Sequence, residues 1–253
     1  MQLTEPPRVD PGQCAFLLDV DGTLLPFAPE PAAARADAQI LELLSSLHTA
    51  CGGALALVSG RAIESLDALF SPMRLAVSGL HGLEFRTADG QYHRRPGDAA
   101  ALEAARPLLE GVAARHRALH LEDKGGAIGL HYRHAPQLES ELRIALRAIT
   151  DRIGRGLEVL QGPMVLEIAH GGISKANGIS DLMGSAPFEG RRPVYLGDDL
   201  TDEAAFSAVE AARGLSILVG AQRPTAARYA IGSVAGARAW LRAQLVTGRE
   251  SNC

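Results

Sequence analysis

The feature that most constrains this chain is a series of short apolar runs, each of which stops at a polar cluster. The run from Cys14 to Val20 ends in Asp19-Val-Asp-Gly-Thr23, and Ala54 to Val58 stops at Ser59-Gly60-Arg61. Val194 to Leu196 gives way to Gly197-Asp-Asp-Leu-Thr-Asp202, and Leu215 to Val219 is a fourth such run. Runs this short and this apolar read as strands buried on both faces. Between them the apolar spacing becomes helical, with Ile40, Leu43, Leu44 and Leu47 on one stripe and Ile63, Leu66, Leu69 and Phe70 on another. A short strand follows at Leu75 to Val77. Strands alternating with helices imply a parallel sheet covered by helices on both faces, an α/β core of Rossmann-like type.

The grammar changes in the middle of the chain. Asp89-Gly90 between Phe85 and Tyr92 predicts a hairpin turn. A helix over Ala99 to His116 then leads to strands at His120 to Asp123 and Ile128 to Tyr132. A second helix over Leu138 to Ile153 leads to strands at Leu157 to Leu160 and Val165 to Ile168. Helix, two strands, helix, two strands describes a small α+β unit with an antiparallel sheet. It is expected as an insertion over 96–170, leaving 1–95 and 171–253 as the core. Alternation then resumes, with helices after Ser174 and Thr201 and a closing helix over Ala235 to Leu245. The Pro/Ala-rich stretch Pro26 to Ala34 is expected to be a rigid loop, and the residues from Thr247 onward to fray.

The polar clusters fall where open α/β sheets bind ligands, at the carboxyl ends of strands. A single Asp there is explained by turn or cap chemistry, but Asp19 and Asp21 flank Val20, and alternation would turn both carboxylates to one side. Adjacent carboxylates repel unless a cation stands between them, and oxygen ligands suit a hard divalent ion. Asp198, Asp199 and Asp202 exceed what capping a helix needs, and carboxylates from two strand ends would complete an octahedral magnesium site. Ser59, Gly60 and Arg61 precede a helix expected near Ala62, where the Ser59 hydroxyl can cap that helix or its N-H groups can hold a phosphate. Lys175, after Gly171-Gly172, has by itself no more standing than a solvated lysine.

Composition narrows the partners. A net charge of −4, with arginines scattered along the chain, gives no basic surface for a nucleic-acid backbone. No run approaches the roughly 18 apolar residues of a membrane span, and the N-terminal residues lack a signal-peptide core. Cys14, Cys51 and Cys253 are far apart and form no Cys-x-x-Cys, so reduced cysteines in a cytoplasm fit best. A monomer is the working expectation, without a feature that fixes it. Neither a phosphate-binding Gly-x-x-x-x-Gly-Lys loop nor Gly-x-Gly-x-x-Gly is present.

Taken together, Asp19-Val-Asp-Gly-Thr23, Ser59 with Arg61, Lys175, and Gly197-Asp-Asp-x-Thr-Asp202 resemble the four ordered motifs of the haloacid dehalogenase-like phosphatases. Within that superfamily, Ser78-Gly-Leu-His-Gly82, Leu121-Glu-Asp-Lys124 with Leu130-His-Tyr-Arg133, and Leu166-Glu-Ile168 resemble the trehalose-6-phosphate phosphatases, over about Phe16 to Leu245. Ala169-His170 and Ala176 depart from that family's pattern. The resemblance implies Asp19 as nucleophile, Asp21 as general acid and base, and Mg²⁺ held by Asp19, the Asp21 carbonyl and Asp198. It implies Ser59, Gly60 and Lys175 on the phosphate, with Asp199 and Asp202 orienting ligands and Lys175 from behind. It further implies a cap that reads a sugar phosphate, with Arg61, His81, Glu122, Lys124 and Glu167 as substrate contacts. From spacing alone, Glu122, Lys124 and Glu167 are equally a solvated strand face. The pairs His116/His120 and His131/His134 have metal-like spacing but no third ligand, and read as surface or packing residues. Sucrose phosphate, a mannosyl phosphate and a phosphosugar mutase reaction are the alternatives. A receiver-type switch is excluded by its shorter length and by the second Asp.

Overall fold

The computed structural model describes residues 3–27 and 35–246. The expected loop at Pro26 to Ala34 lies largely outside them, as does the segment from Thr247. In chain order the first part holds β1 (Cys14–Leu18), α1 (Ala38–Ala50), β2 (Leu55–Val58), α2 (Ile63–Leu69), β3 (Ala76–Gly79), β4 (Glu84–Arg86) and β5 (Tyr92–Arg94). The middle holds α3 (Ala99–Ala113), β6 (His120–Asp123), β7 (Ala127–His131), α4 (Glu139–Ile153), β8 (Leu157–Gly162) and β9 (Val165–His170). The last part holds α5 (Lys175–Met183), β10 (Arg192–Gly197), α6 (Glu203–Ala211), β11 (Leu215–Val219), β12 (Tyr229–Ile231) and α7 (Val234–Ala243).

Eight strands form one sheet in the order β12-β11-β10-β1-β2-β3-β4-β5. The six from β12 to β3 pair in parallel, whereas β4 and β5 extend the edge as an antiparallel hairpin. β12, three residues with only the middle one buried, is an addition to the sequence reading. Each run read as doubly buried is so: β1, β2 and β11 are buried at every position. Their side chains meet Leu44, Leu47, Phe206 and Leu241 from the helices in one core. That continuous apolar character is the reason these strands lie inside a parallel sheet.

The second sheet has four antiparallel strands in the order β6-β7-β9-β8. It has its own core, in which Leu102 and Leu109 of α3 and Leu142 and Leu146 of α4 pack on Ile128, Leu130, Leu166 and Ile168. Those positions alternate along β7 and β9, so one face of the sheet is covered by the helices and the other faces the eight-stranded sheet. α3 ends at Ala113, short of the expected His116. Among the described residues no helix is long and apolar enough to cross a membrane.

Candidate active site

β1 lies between β10 and β2, all parallel, so three polar clusters are delivered to one end of the sheet. Leu18 sits opposite Leu196 and opposite Leu57, and the Asp19 N-H donates to the Leu196 carbonyl at 3.0 Å. Asp19, Ser59 and Asp198 therefore leave their strands side by side. Lys175 enters as the first residue of α5 and is buried. Its ammonium donates to Asp19 Oδ1 at 2.8 Å and to Asp202 Oδ1 at 2.6 Å. The solvated-lysine reading is corrected: desolvating an ammonium requires paired carboxylates, and these are supplied from two distant loops.

Asp202 is fully occupied as a clasp. Its Oδ1 also accepts from the Tyr195 hydroxyl at 2.5 Å, and its Oδ2 accepts the N-H groups of Asp198 and Asp199 at 2.8 and 3.0 Å. Asp199 accepts from the N-H and hydroxyl of Thr201 at 2.8 and 2.6 Å, which fixes the same loop. Single oxygens of Asp19, Asp198 and Asp202 lie within 4.8 Å of one another. Burial, with Asp202 and Asp199 adding to it, pushes the Asp19 carboxyl up to about 7 against the pull of Lys175. Burial and then Asp19, Asp199 and Asp202 push Asp198 up to about 10. A cluster so short of positive charge, built only of oxygen donors, fits a hard divalent cation. Since the oxygens of Asp202 already serve four donors, Asp19 and Asp198 are the ones with capacity for it. Gly22 brings the loops together: its φ is +86°, and a Cβ there would stand 2.2 Å from Asp198 Oδ2.

Asp21 lies in a bidentate ion pair with Arg61, Nε to Oδ2 at 2.6 Å and Nη2 to Oδ1 at 2.7 Å. The buried Ser59 does not cap α2. Its Oγ accepts the Arg61 N-H at 3.2 Å, while the first helical N-H, of Ile63, donates to Glu84 Oε1 at 2.8 Å. The neighbouring residue, Gly60, lies under the His81 ring, where a Cβ would meet Nε2 at 2.5 Å.

The opposite wall comes from the four-stranded sheet. Register places Glu122 beside Gly129 and Gly129 beside Glu167, so the missing side chain of Gly129 opens the row between two carboxylates. Glu167 is 4 % exposed, which corrects the solvated-face reading. Lys124 binds Glu167 and stands 3.9 Å from Glu122, and His81 Nε2 reaches Glu167 Oε2 at 3.1 Å. Burial acts to raise the Glu167 carboxyl, but Lys124 and His81 outweigh it and hold it far below the carboxylate range. His131 is a second correction. Its Nε2 lies 2.8 Å from Glu122 Oε2 and it faces the pocket, because alternation along β7 puts Ile128 and Leu130 inward and His131 opposite. Only its place in the Leu130-His-Tyr-Arg133 segment signalled this. Arg133 and Phe27 also line the pocket and were not singled out, whereas His134 is exposed and His116 pairs with Glu141 at 3.8 Å.

One cavity joins the two walls, with Asp19, Ser59, Lys175 and Asp198 on its floor and Glu122, Lys124 and Glu167 across from them. The parallel sheet with this acidic floor and the inserted covering sheet has the haloacid dehalogenase-like fold. The model of the trehalose-phosphatase family matches residues 17–234. A trehalose-6-phosphate phosphatase of Escherichia coli is 40% identical over 239 residues, covering 94% of this chain and 89% of that one. A probable trehalose-phosphate phosphatase of Sinorhizobium fredii is 39% identical, covering 89% and 84%. The C-terminal domain of trehalose-6-phosphate phosphatase from C. albicans shares the fold at a TM-score of 0.84 and 19% identity, covering 92% of each chain. This chain belongs to the trehalose-phosphatase family and is a phosphatase.

Proposed function

We propose that this protein hydrolyses trehalose 6-phosphate to trehalose and inorganic phosphate, the closing step of trehalose synthesis, with Asp19 as nucleophile. One observation carries the reading: in a chain of this family, the row of Glu122, Lys124 and Glu167 faces Asp19 and Lys175 across a single cavity. Carboxylates accept and an ammonium donates, which suits the hydroxyls of a disaccharide, while the floor suits its phosphate.

In this mechanism the Asp19 carboxylate attacks phosphorus in line, a P–O bond forms to Asp19, and the P–O bond to the sugar breaks. Asp21, which takes up a proton when Arg61 leaves it for the substrate, gives that proton to the departing sugar oxygen. It then takes a proton from the water that attacks the aspartyl-phosphate, and inorganic phosphate leaves Asp19 free. Arg61, paired with Asp21 before substrate arrives, offers its guanidinium to the substrate. Ser59, the Gly60 N-H and Lys175 hold the phosphoryl oxygens as charge spreads over them. Asp199 and Asp202 keep Lys175 and the 198–199 loop in place. Asp19, the Asp21 carbonyl and Asp198 would hold Mg²⁺, which when bound would supply the positive charge that lets an anionic nucleophile meet an anionic phosphate. Residues 96–170 act as the cap, and 1–95 with 171–253 as the catalytic core. A cytoplasmic setting is supported by Cys14 and Cys51, both buried and unpaired thiols.

The test is phosphate release, with Mg²⁺, from trehalose 6-phosphate, sucrose 6-phosphate, mannosyl phosphate and glucose 6-phosphate. Trehalose 6-phosphate should have the highest kcat/KM. A higher value for another member transfers the assignment to that sugar, and recovery of a rearranged sugar phosphate in place of inorganic phosphate identifies a mutase.

A further inference from the structure

We propose that His81 is a positioning residue that couples occupancy of the sugar-reading wall to the geometry of the phosphate loop, an inference that rests on the substrate reading above. The backbone supplies the first argument. Leu80 and His81 both hold left-handed φ values, 49° and 57°, which residues with a Cβ adopt only where the surroundings impose them. The surroundings here are the phosphate loop itself: the Leu80 N-H donates to the Arg61 carbonyl at 3.0 Å, and the His81 N-H to the Ser59 carbonyl at 3.1 Å.

The ring supplies the second. It lies over Gly60 so closely that a Cβ would stand 2.5 Å from Nε2 and 2.6 Å from Cε1. The same Nε2 is 3.1 Å from Glu167 Oε2 on the opposite wall, and a carboxylate accepts, so Nε2 carries the proton. Nδ1 is buried without a hydrogen-bond partner. The ring is thus placed for Gly60 and Glu167, at the expense of its other nitrogen. From Glu167 contacts continue through Lys124 to Glu122. Contacts therefore run from the residues that face the sugar, through the ion pairs of Lys124 and Glu167, to the His81 ring, which packs directly on the main chain of Gly60. A sugar that draws Glu167 toward its hydroxyls moves the ring against the loop, so binding energy from the remote ring raises kcat as well as affinity.

The experiment separates the substrate into its two parts. Hydrolysis of acetyl phosphate, read as its disappearance, is measured with Mg²⁺ in the presence and absence of free trehalose, and the ratio of kcat values is taken within each protein. In the wild type, trehalose should raise kcat by about 5-fold or more, the lower end of ordinary coupling between sites. In His81→Gln the amide nitrogen stands near the place of Nε2 and should retain most of that activation. His81→Asn, too short to reach Glu167, should lose it. A merely structural role gives the reverse order, because Asn tolerates left-handed φ better than Gln. Should either variant fail to fold, Glu167→Gln, which keeps the shape and removes the charge, should also lose the activation. Retained activation in His81→Asn or Glu167→Gln overturns the proposal, as does a wild type that hydrolyses trehalose 6-phosphate yet ignores free trehalose. A wild type that leaves trehalose 6-phosphate intact overturns the substrate reading first, and this inference with it.

Discussion

Asp19 and Asp21 stand two residues apart in one loop and have different surroundings, which separates the outcomes expected for their amides. Asp19 is buried against Lys175, and Asp19→Asn keeps the shape but removes the nucleophile, so turnover should be lost while the fold stays intact by circular dichroism. Residual hydrolysis by pure variant would mean that water attacks phosphorus directly. Asp21→Asn retains the nucleophile and loses the proton carrier, so rapid-quench measurements should show an aspartyl-phosphate that both forms and breaks down slowly. A pH effect follows from the same crowding. The folded Asp19 carboxyl titrates near 7 against an ordinary 3.8, so the folded state holds that proton more tightly than the open chain does. The resulting stability is fully present below the ordinary value and is lost as pH rises through about 7. In excess chelator Tm should therefore fall between roughly pH 4 and pH 7, and Asp19→Asn or saturating Mg²⁺ should shrink the fall. A flat chelator profile would place the charge balance elsewhere. Asp19, Ser59 and Asp198 of this floor were legible in the sequence because each lies at the end of its own apolar run, whereas Lys175 was legible only through the joint resemblance of the four motifs. The clasp made by Asp202 was legible only as a general orienting role, since Tyr195 and two N-H groups converge on it through the fold of the loop.

Among the elements, α2 shows most clearly what local sequence leaves open. The helix follows Ser59-Gly60-Arg61, and a serine before a helix is an ordinary cap signal. Its N-cap position is instead Ala62, which offers no side-chain acceptor, and the cap comes from Glu84 on β4. Glu84 is buried and also accepts from the Tyr92 hydroxyl at 2.8 Å, with Arg94 at 3.5 Å. Arg94 in turn donates to the Gly125 carbonyl beside the cap at 2.7 Å. The antiparallel hairpin of β4 and β5 therefore holds the start of α2, and the 59–61 loop before it, from the side. Glu84→Ala should cost roughly 1.5–3 kcal/mol, the usual range for a hydrogen bond to a charged group, read as a lower urea midpoint. An unchanged midpoint would mean that water replaces the carboxylate at the helix end.

For the molecule as a whole, two sheets with separate cores face each other across one cavity, and the proposed function divides chemistry and recognition between them. Glu122→Ala and Lys124→Ala should each lower kcat/KM for trehalose 6-phosphate by roughly 10-fold or more, since a lost charged hydrogen bond is worth about 1.5–3 kcal/mol. Turnover of a small aryl phosphate, which carries no sugar, should change far less. Measuring both substrates on each variant decides the matter. Equal losses would indicate a damaged cap, and no loss on trehalose 6-phosphate would remove the cap from recognition. Excess chelator should abolish turnover of both substrates. Calcium should restore little of it, because its larger and looser coordination misplaces nucleophile and phosphorus.

The parallel sheet, the inserted α+β unit and the acidic loops can all be read along the chain, because apolar periodicity and the polar residues that interrupt it are local properties. So can the placing of Glu122 and Lys124 on one face, since strand alternation has a period of two. The partners of these residues come from the three-dimensional fold. A period of two names a face but not the strand that lies beside it, so the row from Glu122 through Gly129 to Glu167 came from register alone. The same holds for Lys175 between Asp19 and Asp202, for Glu84 at the start of α2, and for His131 on Glu122. The lysine and Glu84 meet partners well removed in the chain, His131 one on the neighbouring strand, and their burial is tolerable only because the fold brings the partner to hydrogen-bonding distance.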